Sequence, residues 1–94
     1  MARTARLTTR FLARRVSLGV VTGSRTSKTV GAVIASLARA LVLPGPADFE
    51  AAMPPVRSAF VRRVPDENLW IWYRFDEESV TLINITQTPP VPTA

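Results

Sequence analysis

The run Leu69-Trp70-Ile71-Trp72-Tyr73-Arg74-Phe75, the acidic segment Asp76-Glu77-Glu78-Ser79 and the run Val80-Thr81-Leu82-Ile83-Asn84-Ile85-Thr86 together most constrain what this chain can fold into. Aromatic and β-branched side chains suit a pleated, half-buried surface, so the two apolar runs read as strands and the acidic segment as their turn. Side chains alternate along a strand. Trp70, Trp72 and Arg74 therefore share one face, and Leu69, Ile71, Tyr73 and Phe75 share the other. Both faces are apolar and each needs cover. A lone hairpin is marginal in water, so the rest of the chain must supply another strand and helices.

Upstream, Val56–Val64 alternates as a strand, with Phe60, Arg62 and Val64 on one side and Arg57, Val61 and Arg63 on the other. A Pro65-Asp66-Glu67-Asn68 loop joins it to the hairpin, and consecutive strands with short connections predict an antiparallel meander. The clearest helix places Val30, Val33, Ile34, Leu37 and Leu41 on one stripe, after a cap at Thr26 or Ser27 and before Pro44-Gly45-Pro46. Ala47–Met53 reads as a short helical turn, and Pro54-Pro55 as an extended entry into the next strand. At the start, Arg3, Ala5 and Leu7 share the parity of a short strand, and Thr8 or Thr9 caps a helix over Arg10–Leu18. These elements predict one α+β domain over residues 1–94. A short N-terminal strand and helix and an amphipathic helix pack on a three- to four-stranded antiparallel meander, and residues 87–94 form an extended or disordered tail.

Charge is divided unevenly along the chain. Residues 1–43 carry eight basic side chains and no acidic one, whereas residues 44–94 carry four basic and seven acidic groups. A basic half marks a polyanion-binding surface, or simply a solvated arginine-rich one. Arg10, Arg14, Lys28, Arg57 and Arg63 are the candidate phosphate contacts. Arg57 and Arg63 read alternatively as partners of the turn acids Asp76, Glu77 and Glu78 across the sheet.

Cysteine and histidine are both absent, which removes thiolate chemistry and argues against a zinc site, so no metal or cofactor is expected. No apolar run approaches the ~20 residues of a membrane-spanning helix. Met1–Leu18 has the arginine-rich, acid-free composition of a transit peptide. Cleavage there would leave too little chain for a stable domain, so it is read as part of the fold.

The Trp70/Trp72 face admits three covers: the N-terminal segment with Phe11 and Leu12, a protein partner, or unpaired bases stacked on the rings. Phosphate-loop, dinucleotide and hydrolase signatures are missing. Metal-free RNA cleavage needs a base, an acid and cations on the developing phosphorane. Arg57, Arg62, Arg63 and Arg74 supply cations, but Tyr73 is the sole tyrosine and Lys28 sits at a helix start.

The segment Arg6-Leu7-Thr8-x-x-Phe11, the helix ending in Leu41-x-x-Pro44, and the meander through Phe60-Val61-Arg62-Arg63-Val64, Leu69–Asp76 and Val80–Ile85 together resemble the RelE/ParE toxin superfamily of bacterial toxin–antitoxin systems. The resemblance follows the order of elements through most of the chain. It implies a cytoplasmic toxin component, neutralised by an antitoxin protein, that inhibits growth through RNA and translation or through gyrase. As an endoribonuclease of that family, it would use Arg62, Tyr73 and Arg74 as catalytic groups. Trp70 stands where the family carries an arginine, and no Tyr, His or Arg follows the last strand. These differences favour binding over cleavage. A second expectation is a non-catalytic basic module that binds a protein or RNA through Trp70 and Trp72.

Overall fold

The chain follows the order β1 (Thr4–Leu7), α1 (Thr9–Ser17), α2 (Arg25–Arg39), β2 (Phe49–Met53), β3 (Val56–Arg63), β4 (Trp70–Phe75) and β5 (Ser79–Thr86). The computed structural model describes residues 2–53 and 56–90, with the side chains of Met53 and residues 56–58 outside that description. The expected Pro54-Pro55 entry, the end of the tail at 91–94 and the Arg57 side chain therefore lie outside the described residues. The strands form one sheet in the order β1-β5-β4-β3-β2. Strands β2 to β5 are antiparallel neighbours, as the meander required, while β1 lies parallel to β5.

The α+β class holds, with the three- to four-stranded antiparallel meander enlarged to a five-stranded mixed sheet. The difference comes from two edges. Phe49–Met53 is a strand, not a helical turn, with Phe49 opposite Val61 and Ala51 opposite Ala59. Alanine and glutamate in Phe49-Glu50-Ala51-Ala52-Met53 favour helix locally. The exposed edge of β3 offers backbone partners that override this weak preference.

Helix α2 begins two to three residues earlier than a cap at Thr26 or Ser27 suggested. Ser24 is its cap, and its side chain accepts the Ser27 N–H at 3.1 Å. It also ends earlier, because Ala40 is extended. Val30, Val33 and Leu37 are buried as the stripe required, but Leu41 is 88% exposed. The chain leaves the helix so that Leu43, not Leu41, enters the core. Thr8 caps α1, accepting the Phe11 N–H at 3.2 Å.

The sheet separates two apolar clusters. The larger one holds Phe11 of α1 and Val30, Val33 and Leu37 of α2 against Val64, Leu69, Ile71, Tyr73, Val80, Leu82 and Ile85. The smaller one holds Ala51, Ala59, Val61 and Trp72, with Phe49, Trp70 and Ile83 packed around them. Among the described residues no helix side chain joins it. The N-terminal segment is therefore not the cover of the Trp face: Phe11 lies on the opposite side, and Leu12 is exposed.

Strict alternation would turn Asn84 toward the helices and Ile85 away. The register instead jumps between Trp72↔Asn84 and Tyr73↔Leu82, which makes Ile83 an extra residue. Such a bulge restores Ile85 to the core while interrupting the ladder. Thr8 compensates at this point. Its N–H donates to Leu82 O at 3.2 Å, and its hydroxyl lies 2.9 Å from Leu82 O and 3.1 Å from Ile83 O. Arg3 similarly joins the other end of the sheet to α2, donating to Asp76 O at 2.7 Å and Ala40 O at 2.8 Å over the Phe75 ring.

Phe11 is the one fully buried side chain of α1, whereas Val16 on the same helix is 76% exposed. Urea denaturation should show Phe11→Ala losing about 3–5 kcal/mol of stability, as expected for emptying a closed core site. Val16→Ala should stay within about 0.5 kcal/mol of the parent.

Candidate functional site

Two groups of residues have chemistry worth weighing, and the sheet lies between them. On the helix side, β3 and β4 bring Arg62 and Tyr73 together around a residue that composition did not single out, Asp48. Its carboxylate accepts Arg62 Nε at 2.6 Å, Arg62 Nη2 at 2.8 Å, the Gly45 N–H at 2.8 Å and the Tyr73 hydroxyl. The Asp48 side chain is fully buried, and that of Arg62 keeps 19% exposure. Burial pushes the Asp48 carboxyl up, but hydrogen bonds from Arg62, Tyr73 and Gly45 outweigh it and hold the group below the ordinary aspartate value of 3.8. Burial first, then the neighbouring carboxylate, pushes the Tyr73 phenol above its ordinary range. A fully buried phenol that keeps its proton and donates a hydrogen bond to Asp48 is a poor general base at neutral pH.

The loop that carries Asp48 is shaped for this cluster. A side chain at Gly45 would collide with Arg62 Nη2 and come within 3.2 Å of Asp48 Oδ2. Around Tyr73, the rings of Phe60 and Phe75 lie with centroids 6.0 and 6.3 Å away, so the polar cluster sits against an aromatic wall. The one sequence signal for Asp48 was its position as the first acid in the chain, three residues after Gly45 in a proline-rich connector.

Arg74 does not join Arg62 and Tyr73. Tyr73 and Phe75 face the helices, so the intervening Arg74 faces away and is exposed. It belongs to the helix-free face of the sheet, which carries the second group. Arg74 is opposite Thr81, and Thr81 is opposite Arg6, so one row across β4, β5 and β1 has arginine at both ends. At the far end, Arg63 is opposite Trp70 and its guanidinium lies over the indole, 5.7 Å from the ring centroid. Trp72 fills the middle, only 5% exposed, and its indole N–H donates to Thr86 Oγ1 at 3.0 Å. Trp70 remains half-buried beside it.

Among the described strand residues on this face there is no carboxylate, since Glu50 is opposite Phe60 on the helix side. The turn acids lie elsewhere than expected. Arg63 pairs at the Trp70 end of β4, remote from Asp76–Glu78, and Asp76 instead feels the charge of Arg6. Asp76 is used locally, its Oδ1 accepting the Glu78 and Ser79 N–H groups at 2.8 and 2.7 Å.

Of the other candidate phosphate contacts, Arg10 and Arg14 are exposed on α1 and Lys28 on α2. They are carried by the helices, whereas the Arg63 guanidinium stacks on Trp70 of the helix-free face. Arg6 was missed as a candidate because only the parallel pairing of β1 with β5 brings it beside Arg74's row. Among the described residues no cluster of three or more Asp or Glu side chains could hold a metal, and no helix is long and apolar enough to cross a membrane.

Asp48 has a lowered folded pKa, so its contribution to stability is present above the ordinary aspartate value and is lost as pH falls through the folded value. Tyr73 has a raised one, so its contribution is present below the ordinary value of 10.0 and is lost as pH rises above that. Denaturation measured against pH should show both limbs, with the acid loss reduced in Asp48→Asn and the alkaline loss reduced in Tyr73→Phe. At pH 7, Asp48→Ala should cost about 3 kcal/mol, the low end for breaking a buried pair, because Arg62 can still reach water. Gly45→Ala should cost about 1–3 kcal/mol through overpacking.

No protein-family model, curated protein or solved structure matches this chain.

Proposed function

We propose that this chain is a toxin component of RelE/ParE type that arrests bacterial growth by engaging single-stranded RNA on the helix-free face of its sheet, without cutting it. The observation that carries this reading is the charge pattern of that face. Arg6, Arg74 and Arg63 frame an aromatic centre on one face of the sheet. Cations that track a backbone, beside rings and guanidinium planes that stack bases, are the recurring solution for single-stranded nucleic acid. Trp72 is too buried to stack a base itself. It supports Trp70 and Arg63, which present the stacking surface.

The preference for binding over cleavage rests on the Asp48 cluster. Arg62 and Tyr73 are already committed to Asp48 on the helix side, while Arg74 points to the other face. The acid, base and cation of a nuclease would have to meet at one phosphate. A binding toxin needs only the cationic face. The proposed setting is the bacterial cytoplasm, with an antitoxin protein as controlling partner, and RNA on the ribosome as target in preference to gyrase.

Two measurements test the reading separately. Induced expression of the full chain in a bacterial host should arrest growth while transcripts stay uncut at defined sites. Unimpaired growth sinks the toxin assignment, and cleavage that disappears in Tyr73→Phe sinks the non-cutting mechanism. Fluorescence anisotropy with a uridine-rich 12-mer should show binding whose logarithm falls with log salt at a slope of about −2, for three phosphate contacts. The triple variant Arg6→Gln, Arg63→Gln, Arg74→Gln should flatten that slope, and Trp70→Ala should weaken binding about tenfold. Arrest without RNA binding would move the target to gyrase.

A further inference from the structure

Beyond the RNA face, and independent of the toxin reading, the helix side of the sheet carries an open groove of about 270 Å³ between α2 and the end of β3. Thr29, Ala32, Val33 and Ser36 line it from α2, at the three-to-four spacing that puts them on one flank of the helix. Arg62, Arg63 and Pro65 line the other wall. We infer that this groove takes an extended, acidic-aliphatic peptide segment of a partner protein, which pairs with the free edge of β3 and inserts one aliphatic side chain between Val33 and Pro65.

Three features of the groove converge on that occupant. First, β3 outruns β2. The register between them ends at Phe49↔Val61, while β3 continues through Arg63. The Val64 N–H donates to Leu69 O at 2.9 Å, toward β4. Backbone groups alternate in direction along an antiparallel strand, so Arg63 presents its N–H and C=O to the opposite edge, past the end of β2. An added strand satisfies such an edge. Second, Ala32, Val33 and Pro65 give the wall beside that edge an apolar patch sized for one aliphatic side chain.

Third, the charge is complementary to a carboxylate. Arg62 uses Nε and Nη2 on Asp48, whereas its Nη1 lies 3.4 Å from Ser36 Oγ at the groove wall. An incoming carboxylate placed there gains a guanidinium donor and a hydroxyl without disturbing Asp48. Arg25 and Lys28 add positive charge one turn along α2. At that end Asp66 and Glu67 join Arg25 in the neighbouring depression, so the cationic end is the one at Arg62. An RNA strand lacks the aliphatic side chain and the strand-forming backbone this groove fits.

The test uses the intact protein, ¹⁵N-labelled, titrated with the synthetic peptide acetyl-Glu-Val-Leu-Val-Glu-amide. Saturable amide shifts confined to Arg62–Val64 and to residues 29–36 are expected at about millimolar peptide. Ala32 is exposed, so Ala32→Trp should fill the groove without unfolding the protein and weaken binding by about tenfold or more. Replacing both peptide glutamates by lysine should abolish the shifts.

Absence of shifts at millimolar peptide, equal binding by Ala32→Trp, or equal binding of the lysine peptide would each overturn the proposal. So would 4-methylpentanoate reproducing the full response without moving the Arg63 amide, since the occupant would then be a small carboxylate. Arg6→Gln and Arg74→Gln lie outside the groove and should leave peptide binding unchanged, so failure of either reading is visible without the other.

Discussion

A single buried carboxylate accepts hydrogen bonds from three separate parts of the chain. Asp48 stands just before β2, yet its partners are the Gly45 backbone in the connector, the Arg62 guanidinium on β3 and the Tyr73 hydroxyl on β4. A buried charge is tolerable only when such partners surround it. The connector must therefore pass close over the sheet, which brings Phe49–Met53 alongside β3 as an edge strand. The same contact fixes Arg62 and Tyr73 on the helix side and removes them from any surface that a phosphate could reach with both together.

The two faces of the sheet consequently take different duties. The helix side is a closed core of aliphatic and aromatic side chains with the Asp48 cluster at one margin. The other side carries a thinner apolar cluster drawn only from strands, roofed in part by Trp70 and framed by arginines. Trp72 shows how that face remains stable without helices: Phe49, Trp70 and Ile83 pack around it, and Thr86 accepts its indole N–H. Trp70 and the arginines stay outermost on that face.

Periodicity made the strands β3, β4 and β5 legible, together with the buried stripe of α2, because side chains of one sign recur at two- or three-to-four-residue spacing over long enough runs. Both faces of β4 could be read as apolar from Leu69–Phe75 alone. The edge strand β2 could not be read, since Phe49-Glu50-Ala51-Ala52-Met53 has little strand preference of its own and takes its conformation from Val61 and Ala59 opposite. The bulge at Ile83 was equally hidden. It follows from the need to bury Ile85 rather than Asn84, a choice that exists only once β4 and the helices are in place.

For the candidate site, alternation placed Trp70, Trp72 and Arg74 on one face of β4 and Arg63 on one face of β3, and a pair of tryptophans is uncommon to leave facing water. Which of them meet was a tertiary matter. Parallel pairing of β1 with β5 adds Arg6 to the row of Arg74, and the sheet itself separates these from Tyr73 and Arg62. Local sequence determined that the hairpin Leu69–Thr86 would form strands with two apolar faces, because that depends on composition and alternation within the run. Only the tertiary structure decided that helices cover one face and leave the other to tryptophan and arginine, because the covering side chains and the pairing edges come from positions far apart in the chain.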